Sequence, residues 1–372
     1  MKLIYIANAR IPTEKAHGIQ IMKMCEAFAM DNAVELVLPA RFNRIKDDPF
    51  DYYGIKKNFR IKKLPCFDLI RFHRYLGCWG LWIETLTFGF SLFFYLIFKK
   101  AGVFYTRDKL ILPLVIIKKN LVFEDHAFPR KYFLYSCFIK KIKGIITITQ
   151  KLKDLFVERG ISPDKILVAP DGVDFEKFQI LNSKSQTRGK LDLPQDKKIV
   201  LYTGHLYKWK GAQILADALR YLPVDVEVYF VGGTEEDIKK FKVQNSKLKV
   251  NVVGRRPYME IPYWLKAADV LVLPNSGKEE ISKYWTSPMK MFEYMAAQKP
   301  IVAADLPSIR EILNETNAVL VESDNPEALA RGIQEALQNP ELSDRISAKA
   351  FRDVKQYSWQ NRVIKILNFI NP

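Results

Sequence analysis

The sequence predicts an α/β protein built from two doubly wound parallel-sheet domains. Three observations carry that prediction. Short β-branched runs recur along the 372 residues, separated by stretches of helix length. Some are apolar without a break, such as Val270-Leu271-Val272-Leu273, the pattern of parallel strands buried on both faces. The runs also form two series, which implies two sets of βαβ units. A chain of this length has room for two ordinary cores.

Taken in order, strands are predicted at 2–8, 34–39, 103–108, 121–126, 144–149 and 166–170. The second series falls at 199–204, 226–232, 250–254, 270–274, 300–304 and 318–321. Residues 176–198 are polar and rich in Ser, Lys and Asp, and are read as a linker. The tail from Tyr357 to Ile370 places Trp359, Val363, Ile366, Leu367 and Ile370 at helical spacing. Open parallel sheets bind ligands beyond the carboxyl ends of their strands. Those ends here are polar or glycine-rich: Asn8, Asp125-His126, Asp171-Gly172, Gly204-His205, Gly232-Gly233, Asn275 and Asp305.

Composition narrows the class. With 48% hydrophobic and 27% charged residues the chain is a folded globular protein. Its four cysteines are scattered without a C-x-x-C pair, which argues for a reducing compartment and against a zinc site. The N-terminus KLIYIAN reads as a buried strand, not a signal peptide. Net charge is +17, and residues 1–180 hold 30 Lys and Arg against 18 Asp and Glu. Such an excess suits a polyanionic partner, whether nucleic acid, anionic lipid or phosphorylated substrate, met by the first half.

The densest functional signal is Ser287 to Asp305, SPMKMFEYMAAQKPIVAAD. Ser287 is placed to cap a helix opening at Pro288 and running to about Ala297. Lys290 lies in the first turn, where a cation opposes the helix dipole unless an anion sits on the free N–H groups near Met289 and Lys290. Glu293, one turn after Met289, can accept two hydroxyl hydrogen bonds of the kind a ribose offers. A plain core helix with a solvated Glu and Lys is the alternative.

This segment resembles the nucleotide-sugar site of glycosyltransferase family 4, and the resemblance extends over nearly the whole chain. The family's members are retaining enzymes with two Rossmann-like domains facing a cleft (the GT-B type). The resemblance implies domains over 1–181 and 190–354, with a tail, 355–372, that crosses back to the first. It implies that Glu293, in P-x-K-x-x-E-Y-M-A, binds ribose. Gly204-His205-Leu206-Tyr207-Lys208-Trp209-Lys210-Gly211 is similar to the family's G-R-L-x-x-x-K-G, which makes Lys210 a diphosphate ligand. His205 stands where the family has arginine, and so removes a permanent charge. Gly18, in His17-Gly18-Ile19-Gln20, fits the loop that approaches the diphosphate and donor sugar. His126 fits the histidine that reaches the sugar. Asp171-Gly172-Val173-Asp174 resembles the turn entering the interdomain region. Gly254 and Arg255 fit the segment that reads the base edge. Each also has a structural reading, as a turn glycine, a satisfied histidine or a solvated charge.

One departure concerns the sugar. Family members usually carry a second glutamate eight positions before the first, and that position here is Trp285. Glu279 or Glu280 could stand in only if the loop folds back.

Leu76 to Phe98 is almost uncharged apart from Glu84 and is long enough to span a bilayer. It sits where a domain helix belongs, so spanning, interfacial and buried readings all stand. Basic residues lie among aromatics on either side, in Lys56 to Lys63 near Phe59, Phe67 and Phe72, and in Arg130 to Lys143. That mixture suits an anionic membrane surface. A groove for single-stranded nucleic acid uses the same ingredients, but no nucleic-acid fold motif accompanies them.

The function expected from the resemblance is transfer of a sugar from a nucleoside diphosphate to a lipid-linked or glycan acceptor. Cell-surface polysaccharide or glycolipid synthesis at the cytoplasmic membrane face is the expected setting. No metal or other cofactor and no nucleic-acid partner are expected. A nucleotide-sugar hydrolase or epimerase on the same fold is the alternative, as is an inactive basic module that binds membrane or nucleic acid.

Overall fold

The computed structural model describes every residue except Arg130, Ile180, Leu181 and Pro372, and except the side chains of His73 and Arg74. The start of the basic run at Arg130 and residues 180–181 of the 176–198 stretch therefore lie outside the described residues. The chain divides into two compact units, Met1–Pro170 with Trp359–Pro372, and Asp171–Ser358.

The first unit holds seven parallel strands: β1 (Lys2–Ile6), β2 (Ala33–Pro39), β3 (Arg60–Leu64), β4 (Val103–Thr106), β5 (Leu121–Asp125), β6 (Gly144–Thr147) and β7 (Ile166–Val168). Their order is β3-β2-β1-β4-β5-β6-β7, so the strand order reverses between β1 and β4, the place where such sheets bind ligands. The second unit repeats the plan with six: β8 (Lys198–Thr203), β9 (Val226–Val231), β10 (Asn251–Gly254), β11 (Val270–Leu273), β12 (Ile301–Ala304) and β13 (Val319–Val321). Their order is β10-β9-β8-β11-β12-β13, with the reversal between β8 and β11.

Every strand read from the sequence is present, and β3 is an addition. Its sequence RIKKL exposes Arg60, Lys62 and Lys63 and buries Leu64. Charges on an edge strand discourage pairing with another chain, and they disguise it as a basic loop. Phe59, just before it, is buried, so it is no part of an exposed aromatic-basic patch.

The 176–198 stretch is not a plain linker. Ser183 and Gln186 form a capping box that starts the helix Lys184–Lys190. Arg188 within it is buried, pairs with Asp269 at 2.6 Å and donates to the Ala267 and Lys197 carbonyls.

The helix Trp79–Ile97 belongs to the first unit. Phe88, Leu92 and Leu96 pack into its core with Ile4, Phe104 and Phe123. Glu84 is fully buried and is neutralised by Arg41 at 2.7 Å. The other face, including Trp79, Trp82, Leu86, Phe90 and Phe94, is exposed. By length and composition the helix is apolar enough to cross a membrane, but only a third of that stretch is buried in the protein. The fully buried reading does not hold: one face is core and the other is open.

Candidate functional site

In the second unit, the predicted residues gather at the carboxyl ends of β8 and β10 and at the helix Met289–Ala296. Gly204 follows β8 with φ +120°, and Gly232 follows β9 with φ +130°. A Cβ on Gly232 would lie 2.4 Å from the Gly204 carbonyl oxygen, so only glycines let these two loops stack. Gly211 is equally constrained, with φ +74° and a Cβ that would meet the Pro274 carbonyl at 1.7 Å. It thereby seats the turn Lys208–Lys210 against the end of β11, and the Trp209 carbonyl accepts from Ser276 N–H at 3.0 Å.

The helix Met289–Ala296 is tied to the end of β8 by Tyr294, whose hydroxyl accepts from Thr203 N–H at 2.8 Å. Its entry differs from the prediction. Pro288 is the N-cap residue and no side chain caps the helix. Ser287 instead accepts from Asp171 N–H at 3.2 Å, tying the Asp171-Gly172 turn to the helix entry. Proline at the cap fixes the backbone by its ring, which leaves the serine free for this longer-range bond.

Two lysines meet here. Lys290 Nζ is buried with no hydrogen-bond partner and lies 3.7 Å over the Tyr202 ring. Burial and the neighbouring Lys210 hold its pKa well below the ordinary lysine value, against the pull of Glu293. Lys210, near the Trp209 and Tyr207 rings, is lowered to about 8 by desolvation. Glu293, also buried, accepts a hydrogen bond from the Tyr258 hydroxyl. Desolvation raises its pKa to about 7 despite Tyr258 and Lys290, with Asp174 adding to the rise. Two partly desolvated lysines thus lie close to one carboxylate that is itself reluctant to ionise.

The remaining predicted residues of this unit lie around that core. His205 stacks flat on Tyr207, with ring centroids 4.9 Å apart, and its Nδ1 is 3.9 Å from Asp237. The Tyr202 hydroxyl donates to the His205 carbonyl at 2.6 Å. Gly254 closes β10 with φ +84°, and Arg255 after it is exposed. Trp285 is half-buried in the loop that leads to the helix.

The first unit holds Gly18 and His126. Gly18 is in the first turn of the helix Ala16–Phe28, and a Cβ there would lie 2.2 Å from the Tyr53 hydroxyl. Its smallness thus has a packing reason. His126 follows β5, and its Nε2 is 2.6 Å from Glu124, which is fully buried. Glu124 also accepts from Gln20 at 2.6 Å, from the Tyr105 hydroxyl and from Arg362 at 3.0 Å. Burial would raise the Glu124 pKa, but Arg362, His126 and Arg107 outweigh it and hold it well below the carboxylate range. Arg107 donates to Gln20 at 2.6 Å, and His17 close by is lowered to about 4, chiefly by burial and next by Arg107.

Sequence reading missed Tyr202, Tyr258, Glu124 and Arg362. Two left a signal. Glu124 is a charge inside the apolar strand LVFEDH, and Arg362 falls on the apolar face marked by Trp359, Val363 and Ile366.

Comparison with known proteins agrees with this picture. Residues 183–353 match the family described as glycosyl transferases group 1. The D-inositol 3-phosphate glycosyltransferase 1 of Catenulispora acidiphila is 25% identical over 239 residues, 60% of this chain and 55% of that protein. The putative colanic acid biosynthesis glycosyl transferase WcaI of Escherichia coli is 26% identical over 212 residues, 54% of this chain and 51% of that protein. The chain spans about half the length of the curated relatives it matches. Among solved structures, Anabaena Alr3699/HepE in complex with UDP superimposes with TM-score 0.77 at 16% identity, covering 100% of both chains. WaaG, a glycosyltransferase involved in lipopolysaccharide biosynthesis, does so with TM-score 0.72 at 15% identity, covering 99% of both. The fold is of the GT-B type, and its second unit carries glycosyltransferase group 1 sequence.

Proposed function

We propose that the chain is a retaining glycosyltransferase that moves a sugar from a nucleoside diphosphate to a lipid-linked or glycan acceptor. The observation that carries the reading is Lys290, a buried cation with no hydrogen-bond partner beside a second lysine. A diphosphate would neutralise the pair, and its departure is the step that most needs fixed positive charge. Lys210, Lys290 and the N–H groups at Met289 and Lys290 hold the diphosphate in this reading. Glu293 takes the ribose hydroxyls, Gly204 and His205 flank the phosphates, and Gly254-Arg255 faces the base. His126, oriented by Glu124, serves the sugar with the Gly18 loop.

In the transfer, the bond from the sugar's anomeric carbon to the diphosphate oxygen breaks and its electron pair leaves with the diphosphate. The acceptor hydroxyl oxygen bonds to the same carbon from the same face, and its proton passes to the leaving phosphate. The lysines supply the charge, so no metal or cofactor belongs to the proposal.

The relatives named for colanic and teichuronic acid synthesis support a role in surface polysaccharide or glycolipid assembly. The basic first half supports attachment to the cytoplasmic membrane face through anionic lipid. The test is a thermal-shift panel of nucleoside diphosphate sugars starting with UDP-glucose, which one HepE structure contains. A donor should raise Tm for the native chain and, at the same concentration, raise it less for Lys210→Ala. Release of nucleoside diphosphate should require added acceptor. Equal release without acceptor would make the protein a hydrolase or epimerase, and no donor-induced shift at all would leave an inactive binding module.

A further inference from the structure

Outside the donor lysines, the first unit contains a pocket of about 480 Å³ lined by Arg10, Arg44, Arg71, Ile45 and Ile70, with Glu14 on its wall. That volume lies within the range of small-ligand sites, roughly 300–1,000 Å³. Among the described residues, none of the three arginines forms an ion pair with a carboxylate. Arg10 Nε is buried without a hydrogen-bond partner. The nearby Arg41 behaves differently, since Glu84 neutralises it at 2.7 Å.

The pocket wall is joined to the open apolar helix. Ile70 and Arg71 belong to the turn Ile70–Phe72, and the chain leading to it runs along the helix Trp79–Ile97. Phe67 N–H donates to the Thr87 hydroxyl at 3.0 Å, and Ser91 donates to the Pro65 carbonyl at 2.7 Å. A Cβ on Gly80 would lie 2.6 Å from the Leu69 carbonyl, so the turn sits directly on the start of that helix. Trp82, Leu86, Phe90 and Phe94 run along its exposed face at near-helical spacing.

We infer that this pocket binds the phosphate head of an amphiphile whose apolar tail leaves along the exposed face of the helix Trp79–Ile97. Guanidinium groups present planar forks that match phosphate oxygens, and three of them exceed what one Glu14 can balance. The stripe beside them gives a tail an apolar surface, whereas a free sugar phosphate would leave it uncovered. The inference concerns binding alone and stands or falls apart from the donor reading.

The test is flotation of the full chain with phosphatidylcholine vesicles carrying phosphatidic acid, or an equal mole fraction of phosphatidylglycerol, whose phosphate is a diester. The native chain should prefer phosphatidic acid. At roughly fivefold per contact, R10Q/R44Q/R71Q should lose on the order of a hundredfold of that partitioning. The control K140Q/K141Q/K143Q removes the same charge elsewhere and should keep the preference. Equal binding to both vesicle types, or equal loss in both variants, would reduce the pocket to diffuse surface charge and overturn the inference. Arginine-dependent stabilisation by inorganic phosphate without any vesicle preference would assign the pocket to a soluble phosphate and overturn the lipid part. Should the triple variant fail to fold, Arg44→Gln and Arg71→Gln, both at exposed positions, carry the same comparison.

Discussion

Glu124 in the first unit and Lys290 in the second are both buried charges, and the fold treats them in opposite ways. Glu124 is surrounded by Gln20, Tyr105, His126 and Arg362, all of which bond to it. Lys290 Nζ has no hydrogen-bond partner; it faces an aromatic ring and a second lysine, against which Glu293 pulls only in part. A buried charge left uncompensated is costly. Satisfaction inside the protein marks a part that holds other groups still, and its absence at Lys290 is what the proposed diphosphate would complete.

The largest effect should come from breaking the satisfied side. Arg362→Ala leaves Glu124 buried without its cation and should cost about 3–5 kcal/mol of stability, the range for breaking one partner of a buried pair. Urea unfolding checks it. A loss below about 1 kcal/mol, the range of an exposed pair, would mean that Glu124 is not a structural hub.

Next in size is the open side. Lys210→Ala should weaken donor binding by about 1.5–3 kcal/mol, the range of a charge-assisted hydrogen bond, and leave the melting temperature nearly unchanged. Titration calorimetry with the responsive nucleotide sugar decides it. Unchanged affinity in a folded variant would remove the diphosphate from this pocket.

The same contrast explains what could be read from the sequence. Strands announced themselves by apolar runs, because burial on both faces leaves a local pattern. β3 did not, because an edge strand is selected for charge. The proposed donor residues could be singled out because Lys210, Lys290 and Glu293 each sit in a short motif at a strand end or helix start. Glu124 and Arg362 are 238 positions apart, and no local pattern joins them. The helix cap at Ser287 was misread for a related reason: the serine bonds to Asp171, 116 positions away.

The third prediction sharpens the open side through pH. Free Glu293 titrates at about 7 and must be ionised to accept two ribose hydroxyls, so donor affinity should rise as pH climbs through 7. Lys210, lowered to about 8, and Lys290, also held well below the ordinary lysine value, must be charged to hold the diphosphate, so affinity should fall as rising pH discharges them. The expected profile is a narrow maximum between the two, with net proton uptake on its alkaline limb. Glu293→Gln should abolish the acid limb and keep the alkaline one. A flat profile from pH 6 to 9 would break the assignment of both groups.

The smallest effect has the least intuitive sign. Lys290→Met replaces a buried cation that has no hydrogen-bond partner with an apolar chain of similar length, and should stabilise the free protein by about 1 kcal/mol, at the low end for replacing buried charges. The lysine's folded-state pKa is depressed, so between that value and the ordinary lysine value of about 10.4 the unfolded chain binds more protons than the folded one. Native stability should therefore gain with pH across that alkaline window, and the gain should vanish in the variant. Donor binding should be lost at the same time. Urea unfolding at two alkaline pH values, with a donor titration beside it, reads all three. Loss of stability in the variant would mean that Lys290 has an internal partner after all. The second unit would then be as self-satisfied as the first, and the reason for placing a diphosphate there would be gone.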